Sequence, residues 1–282
     1  MNLGLANIAN NDTVDAGLLC EFQKDGYIVI RGLYTSEEAA QIRDTFMKEA
    51  QGGPVPGLSE ISRGGIRYDP SDPLSYYPRM MNPHRHTHLA VGKIALDFLL
   101  NPRLQPILTA LLGEEPLGVQ TMFYFKPAGA RGQALHQDNF YLRVSPGTCI
   151  AAWLAVDDAD EDNGGMVVVP GTNLMKIVCP EKADPSKFFT AELVNTPEGL
   201  SEVPVRLQAG DILFFNGSLI HGSYSNASKD RFRRSLIAHY VPRYSHEVWE
   251  GYHAIDFSGN PIAIAPAVGG GPCGTLQPGG IH

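Results

Sequence analysis

A chain of 282 residues with 43% hydrophobic content can bury one large core, and that length is ordinary for a single all-β barrel or sandwich. Its 22 basic and 30 acidic residues leave a net charge of -8, which excludes the basic excess of a general nucleic-acid binder. No 18-residue apolar run occurs, so no membrane-spanning helix is expected.

Residues 1–11 carry neither a basic start nor a long apolar stretch, so no signal peptide is expected. Val14 to Lys24 has apolar residues at 14, 18, 19 and 22, a short helical stripe that Gly26 ends. Tyr27 to Ile30 reads as a strand. Thr35-Ser36-Glu37-Glu38 predicts a capping box, with a helix behind it to about Ala50. The six prolines between 52 and 83 exclude long helices there and predict an irregular segment, either a lid or a solvated loop, carrying Arg63, Arg67, Tyr68, Tyr76, Tyr77 and Arg79. His84, His86 and His88 form a cluster, but no carboxylate lies at ligand spacing and an apolar helical pattern follows. That context points to capping or solvation rather than metal binding. A further helix over about 102–112 ends at Gly113.

From 117 onward the period changes. Strands are predicted over 119–126, 136–142, 149–156, 165–169, 203–207, 212–215 and 235–241, with Gly- and Pro-containing turns between them. Short strands with frequent turns predict an antiparallel sandwich or barrel. No strand–helix alternation and no Gly-x-Gly-x-x-Gly motif supports a nucleotide-binding fold. Four cysteines, at 20, 149, 179 and 273, are widely spaced with no Cys-x-x-Cys pair. They predict free thiols in a reducing compartment, hence a cytoplasmic location, rather than a disulfide framework or zinc site.

Chemistry concentrates at His136-Gln137-Asp138. On a strand, residues two apart share a face, so this imidazole and carboxylate form half of a divalent-metal site. Oxygen-activating iron(II) centres use two His and one carboxylate and keep other positions open. His221, in Ile220-His221-Gly222-Ser223, is the candidate third ligand. Arg231, Arg233 and Arg234 follow at the start of an apolar strand. A buried cation there needs an anionic partner, and the guanidinium fork suits a carboxylate. Alternation puts 231 and 233 on one face and 234 on the other.

Taken together, these segments resemble the phytanoyl-CoA dioxygenase family of iron(II)- and 2-oxoglutarate-dependent oxygenases. Leu135-His136-Gln137-Asp138 is similar to its His-x-Asp motif. Lys126-Pro127, Trp153 in Ala-Ala-Trp-Leu-Ala, the stretch from Asn163-Gly164-Gly165 to Pro170-Gly171-Thr172-Asn173, and His221-Gly222-Ser223 through Asn226 to Phe232-Arg233 follow in the family's order over about 20–245. The resemblance implies a mainly β chain with flanking helices and a double-stranded β-helix (jelly-roll, cupin-like) core at about 115–245. The whole chain, 1–282, is then one catalytic domain, with a lid at about 52–83 and a C-terminal extension at about 246–282. It implies His136, Asp138 and His221 as iron(II) ligands and catalytic triad. Arg233, helped by Ser223, would hold the distal carboxylate of 2-oxoglutarate, with Arg231 and Arg234 as rivals. Trp153, Lys126 and Gln120 would line the cofactor side. Oxygen is the other co-substrate, and ascorbate a candidate stimulant.

Two departures are informative. Asn173 stands where the family often has His. Asp138 stands where related halogenases lack the carboxylate, which favours hydroxylation. The implied activity is oxidation, chiefly hydroxylation, of an unactivated C–H bond in a small organic metabolite, with secondary metabolism as the candidate setting, and with release of succinate and carbon dioxide. The partners implied are a small-molecule substrate and neither nucleic acid nor membrane; the oligomeric state is not readable. Alternatives are an acyl-CoA substrate, a desaturation or cyclisation outcome, a cupin-like metalloenzyme that does not use 2-oxoglutarate, and a non-enzymatic jelly-roll binding module.

Overall fold

The structure is a computed structural model that describes residues 14–60, 73–268 and 273. Among the described residues four helices have nine or more residues, all before residue 113: α1 (Ala16–Asp25), α2 (Ser36–Gln51), α3 (Ala90–Leu99) and α4 (Leu104–Leu112). Each boundary has a local cause. The Asp15 side chain accepts from the Leu18 N–H to start α1, and Gly26 ends it at φ 84°. At α2 both halves of the capping box form: Thr35 Oγ1 accepts from the Glu38 N–H at 3.1 Å, and Glu38 accepts from the Thr35 N–H at 2.8 Å.

Among the described residues nine strands have three or more residues: β1 (Tyr27–Ile30), β2 (Pro116–Lys126), β3 (Gln133–His136), β4 (Ile150–Ala155), β5 (Met166–Val169), β6 (Val203–Val205), β7 (Ile212–Asn216), β8 (Ile220–Ser223) and β9 (Arg233–Pro242). They form two antiparallel sheets. The larger runs β1–β7–β4–β9–β2 and continues into the short strands Ala254–Ile255 and Pro261–Ile262. The smaller runs β3–β8–β5–β6. This is the expected jelly-roll core with flanking helices.

The larger sheet is covered on both sides. Ile28, Phe123, Phe125, Leu154, Phe214, Leu236 and Tyr240 pack under the helices with Phe46, Phe98 and Leu108. The alternate residues Met122, Trp153, Leu213, Phe215 and Ile237 pack toward Met166 and Val168 of the smaller sheet. Burial on both faces explains why these strands read as apolar runs rather than alternating ones. It also fixes where polar side chains of the inner face must go. Gln120, Lys126, Arg233, Ser235 and His239 are all buried between or beside the sheets.

Three expectations are corrected. The strand predicted over 136–142 stops at His136; Asp138 has helical dihedrals (φ -59°, ψ -37°) and Asn139–Leu142 is one helical turn. Arg231 precedes β9 rather than lying on it, so 231 and 233 do not share a strand face. The four thiols are not all free, because Cys179 and Cys273 form a disulfide while Cys20 and Cys149 do not. Of the candidate lid, residues 61–72, and with them Arg63, Arg67 and Tyr68, lie outside the described residues. The remainder contains a helical turn (Pro73–Tyr76) and a short strand (Met80–Met81) paired to β2. Among the described residues no helix is long and apolar enough to cross a membrane.

Candidate metal centre and anion pocket

His136 and His221 lie opposite one another on β3 and β8, with ring centroids 4.3 Å apart. The helical turn after β3, rather than strand alternation, swings Asp138 toward both rings. Its Oδ1 is 3.4 Å from His136 Nε2 and 3.5 Å from His221 Nε2. All three residues are buried.

The ring orientations are set from behind. Nδ1–H of His136 donates to the Ala134 carbonyl at 2.8 Å, and Nδ1–H of His221 donates to the Leu219 carbonyl at 3.0 Å. Both Nε2 lone pairs therefore face the carboxylate. Burial lowers the His221 pKa to about 4, which keeps that ring neutral at neutral pH. For Asp138, burial acts upward, but the surrounding imidazoles, with the hydrogen bond from His239 among them, overcome it and hold the carboxyl well below its ordinary value. Three acceptors thus converge, with one donor atom from each residue within 4.8 Å of the others. A buried set of lone pairs without its own proton is the donor set of a divalent cation, and two His with one carboxylate suits iron(II).

His239 is a functional neighbour that the sequence reading missed. Its Nε2–H donates to the other Asp138 oxygen, Oδ2, at 3.0 Å, and so orients the carboxylate. The signal was present: 233, 235, 237 and 239 share one face of β9, so any residue pairing with Arg233's face near the metal was a candidate.

Beside the triad lies a basic pocket. Arg233 is 2% exposed; its Nε donates to the Gly164 carbonyl at 3.0 Å and its Nη1 to Ser235 Oγ at 2.8 Å. Lys126, its partner in register on β2, is 1% exposed and donates to Ser223 Oγ at 2.8 Å and to the Tyr224 carbonyl at 2.6 Å. Neither has an ion-pair partner among the described residues. Burial pulls Arg233 down to about 10, and burial with the Arg233 charge pulls Lys126 well below its ordinary value. The rivals are engaged elsewhere. Arg231 pairs with Asp160 at 2.7 Å, and Arg234 with both oxygens of Asp157. Trp153 lies under Arg233, with the guanidinium 5.4 Å from its ring centroid.

One cavity is lined by His136, Asp138, His221, Ser223, Arg233, Trp153, Tyr124, Gln133 and His239, so it joins the triad to the basic end. Lys126 reaches that end through Ser223. Gln120 sits beside rather than in this lining: it faces His239 across the β2–β9 ladder and donates to Tyr252 Oη at 3.3 Å. Asn173 is also away from the chemistry, donating to the Gln23 carbonyl at the end of α1.

A family model described as phytanoyl-CoA dioxygenase matches residues 22–235. The "Phytanoyl-CoA dioxygenase 1" of Oryza sativa subsp. japonica is 23% identical over 78% of this chain and 86% of its own length. Among solved structures, the epimerase SnoN in complex with Fe3+, alpha ketoglutarate and nogalamycin RO superposes with a TM-score of 0.61, at 22% identity over 82% of this chain and 84% of that one. The alpha ketoglutarate-dependent carbocyclase SnoK from nogalamycin biosynthesis gives 0.63, at 18% identity over 89% and 94%. These likenesses carry the fold.

Proposed function

Since the chain belongs to the phytanoyl-CoA dioxygenase family of iron(II)- and 2-oxoglutarate-dependent oxygenases, we propose that it hydroxylates an unactivated C–H bond of a small organic metabolite. In this reading His136, Asp138 and His221 hold the iron. Arg233 binds the distal carboxylate of 2-oxoglutarate, with Lys126 and Ser223 beside it and Trp153 as a wall. When bound, iron and 2-oxoglutarate supply the power to activate oxygen, and succinate and carbon dioxide leave.

One observation carries this. Arg233 lines the same cavity that holds the three converging acceptors, Lys126 stands behind Ser223 at that end, and among the described residues neither basic side chain has a carboxylate against it. Burying an unpaired cation is costly, so the pocket is built for an anion. A cupin-like enzyme without 2-oxoglutarate, or a binding module, would have no need of them.

The substrate reading rests on two supports. SnoN and SnoK, which share the fold, belong by their descriptions to nogalamycin biosynthesis. Arg79 and Arg85, which a CoA phosphate patch would recruit, are occupied with Glu60 and the Gly251 carbonyl. SnoN is described as an epimerase and SnoK as a carbocyclase, so epimerisation and ring closure are the rival outcomes. We propose the cytoplasm as the site of action; the Cys179–Cys273 bond is the feature against it, and fractionation of the expressed protein decides.

The test is oxygen-dependent succinate release from 2-oxoglutarate with iron(II), screened against metabolite pools. A substrate that gains one oxygen atom supports hydroxylation; loss of two hydrogens or an unchanged mass replaces it with desaturation, ring closure or epimerisation. Replacing His136, Asp138 or His221 with Ala abolishes succinate formation. Full turnover by any of the three variants overturns the triad.

A further inference from the structure

The geometry points to Tyr124 as a second donor to the co-substrate carboxylate, held for that role by Arg79, which is buried and paired with the half-buried Glu60; this rests on the 2-oxoglutarate reading above. Tyr124 lines the cavity from β2, two residues before Lys126, and the Arg233 guanidinium lies 6.0 Å from its ring centroid. Its hydroxyl oxygen accepts from Arg79 Nη1 at 2.5 Å. Arg79 also lies over the ring, 5.3 Å from the centroid. Arg79 is 6% exposed and binds Glu60 through both sides of its fork, Nε to Oε2 at 2.5 Å and Nη2 to Oε1 at 2.9 Å.

The charges sort themselves. Glu60 compensates Arg79, so this pair leaves the cavity's positive excess with Lys126 and Arg233. A hydroxyl whose oxygen accepts from a guanidinium can only donate its own proton elsewhere. The acceptor the structure gives it is the Met122 sulfur at 3.8 Å, a weak one. The adjacent cation polarises the O–H, which makes it a strong donor to an anion. The anion pocket lies on the same face of β2, where Met122, Tyr124 and Lys126 alternate inward. Tyr124 is therefore a binding residue, and Arg79 and Glu60 are positioning residues that act through it.

Binding of 2-oxoglutarate to manganese(II)-loaded protein under nitrogen, by calorimetry, tests this without turnover. Tyr124→Phe should weaken binding about tenfold or more, the effect of one lost hydrogen bond to an ion. Its iron-loaded form should show a matching rise in KM for 2-oxoglutarate with kcat little changed. Arg79→Gln and Glu60→Gln should weaken binding less. In the Tyr124→Phe background Arg79→Gln should have no further effect, because its action runs through the hydroxyl. Unchanged binding in Tyr124→Phe overturns the inference, as does an Arg79→Gln effect that is the same with and without the hydroxyl. Thermal melts of each variant separate binding from folding. If wild-type protein binds no 2-oxoglutarate, the proposed function itself falls; if it binds and Tyr124→Phe binds equally, only this inference falls.

Discussion

Arg233 and Arg231 show how much a single side chain's surroundings decide. Both are arginines at the entry to one strand, yet one is buried with no ion partner among the described residues and the other sits at the surface on Asp160. Arg233→Ala should therefore raise the 2-oxoglutarate requirement by roughly two orders of magnitude, as expected for losing a charged, forked donor. Arg231→Ala should leave it unchanged, since exposed pairs contribute little. Titrating 2-oxoglutarate against both variants checks this, and a reversed order reassigns the clamp. His84 behaves differently. It is buried, its Nδ1 lies 2.7 Å from Thr121 Oγ1, and burial first, then neighbouring Arg85, His86 and His253, lowers its pKa to about 3. Below its ordinary value near 6.5 the unfolded chain takes a proton that the fold refuses, so stability falls as pH falls from about 6.5 toward 3, by about 1.4 kcal/mol per pH unit. Above that window the group contributes no pH dependence. In metal-free protein the urea midpoint should fall less steeply with acid in His84→Gln than in wild type; equal slopes would refute the assignment.

The elements differ in how local their causes are. The α2 start was legible because Thr35 and Glu38 satisfy each other's backbone within four residues. Thr35→Ala should cost about 1 kcal/mol, measured by urea unfolding. The turn at Asp138 was not legible. His-x-Asp fits a strand equally well by sequence, and the chain turns because the Asn139 N–H is taken by the Gly217 carbonyl, far away in sequence. The Asn163-Gly164-Gly165 stretch is the intermediate case. Gly164 has φ 86°, and a Cβ there would collide with Lys126 Cδ. Its carbonyl also accepts from Arg233. The Asn163 side chain donates to the Phe232 carbonyl, and Asn226 donates to the carbonyls of Lys126 and Arg231. These motif residues thus hold the backbone around both cations. Gly164→Ala should lose 2-oxoglutarate binding at least tenfold through displacement of Lys126, whereas Gly199→Ala, in open space at a comparable φ, should lose stability alone. Calorimetric binding and thermal melts separate the two.

Across the whole molecule, two sheets and a covering layer of helices surround the cavity that holds the triad, and the chain's last described residue is tied back to the fold. Cys273 joins Cys179, 94 residues earlier, and packs against the cluster containing Phe140, Tyr141 and Trp249 that flanks the Asp138 turn. Closing so long a loop restricts the unfolded chain, an effect of about 2–4 kcal/mol. Cys273→Ser should lower the urea midpoint accordingly and make it insensitive to dithiothreitol, which should lower it in wild type. Equal midpoints for wild type with and without reductant would remove the bond from the account.

Sequence alone determined the ligand types, their order, the capped helices and the all-β core, because each rests on residue chemistry or on periodicity within a few positions. It named Arg233 by motif but left Arg231 and Arg234 as rivals, and it did not find His239 or the Cys179–Cys273 pair or place Asp138 on a turn. Those depend on which distant segments meet. Burial strips the solvent from Arg233 and Lys126 while leaving Arg231 to water, and a charge's role follows from the partners left to it once water is gone.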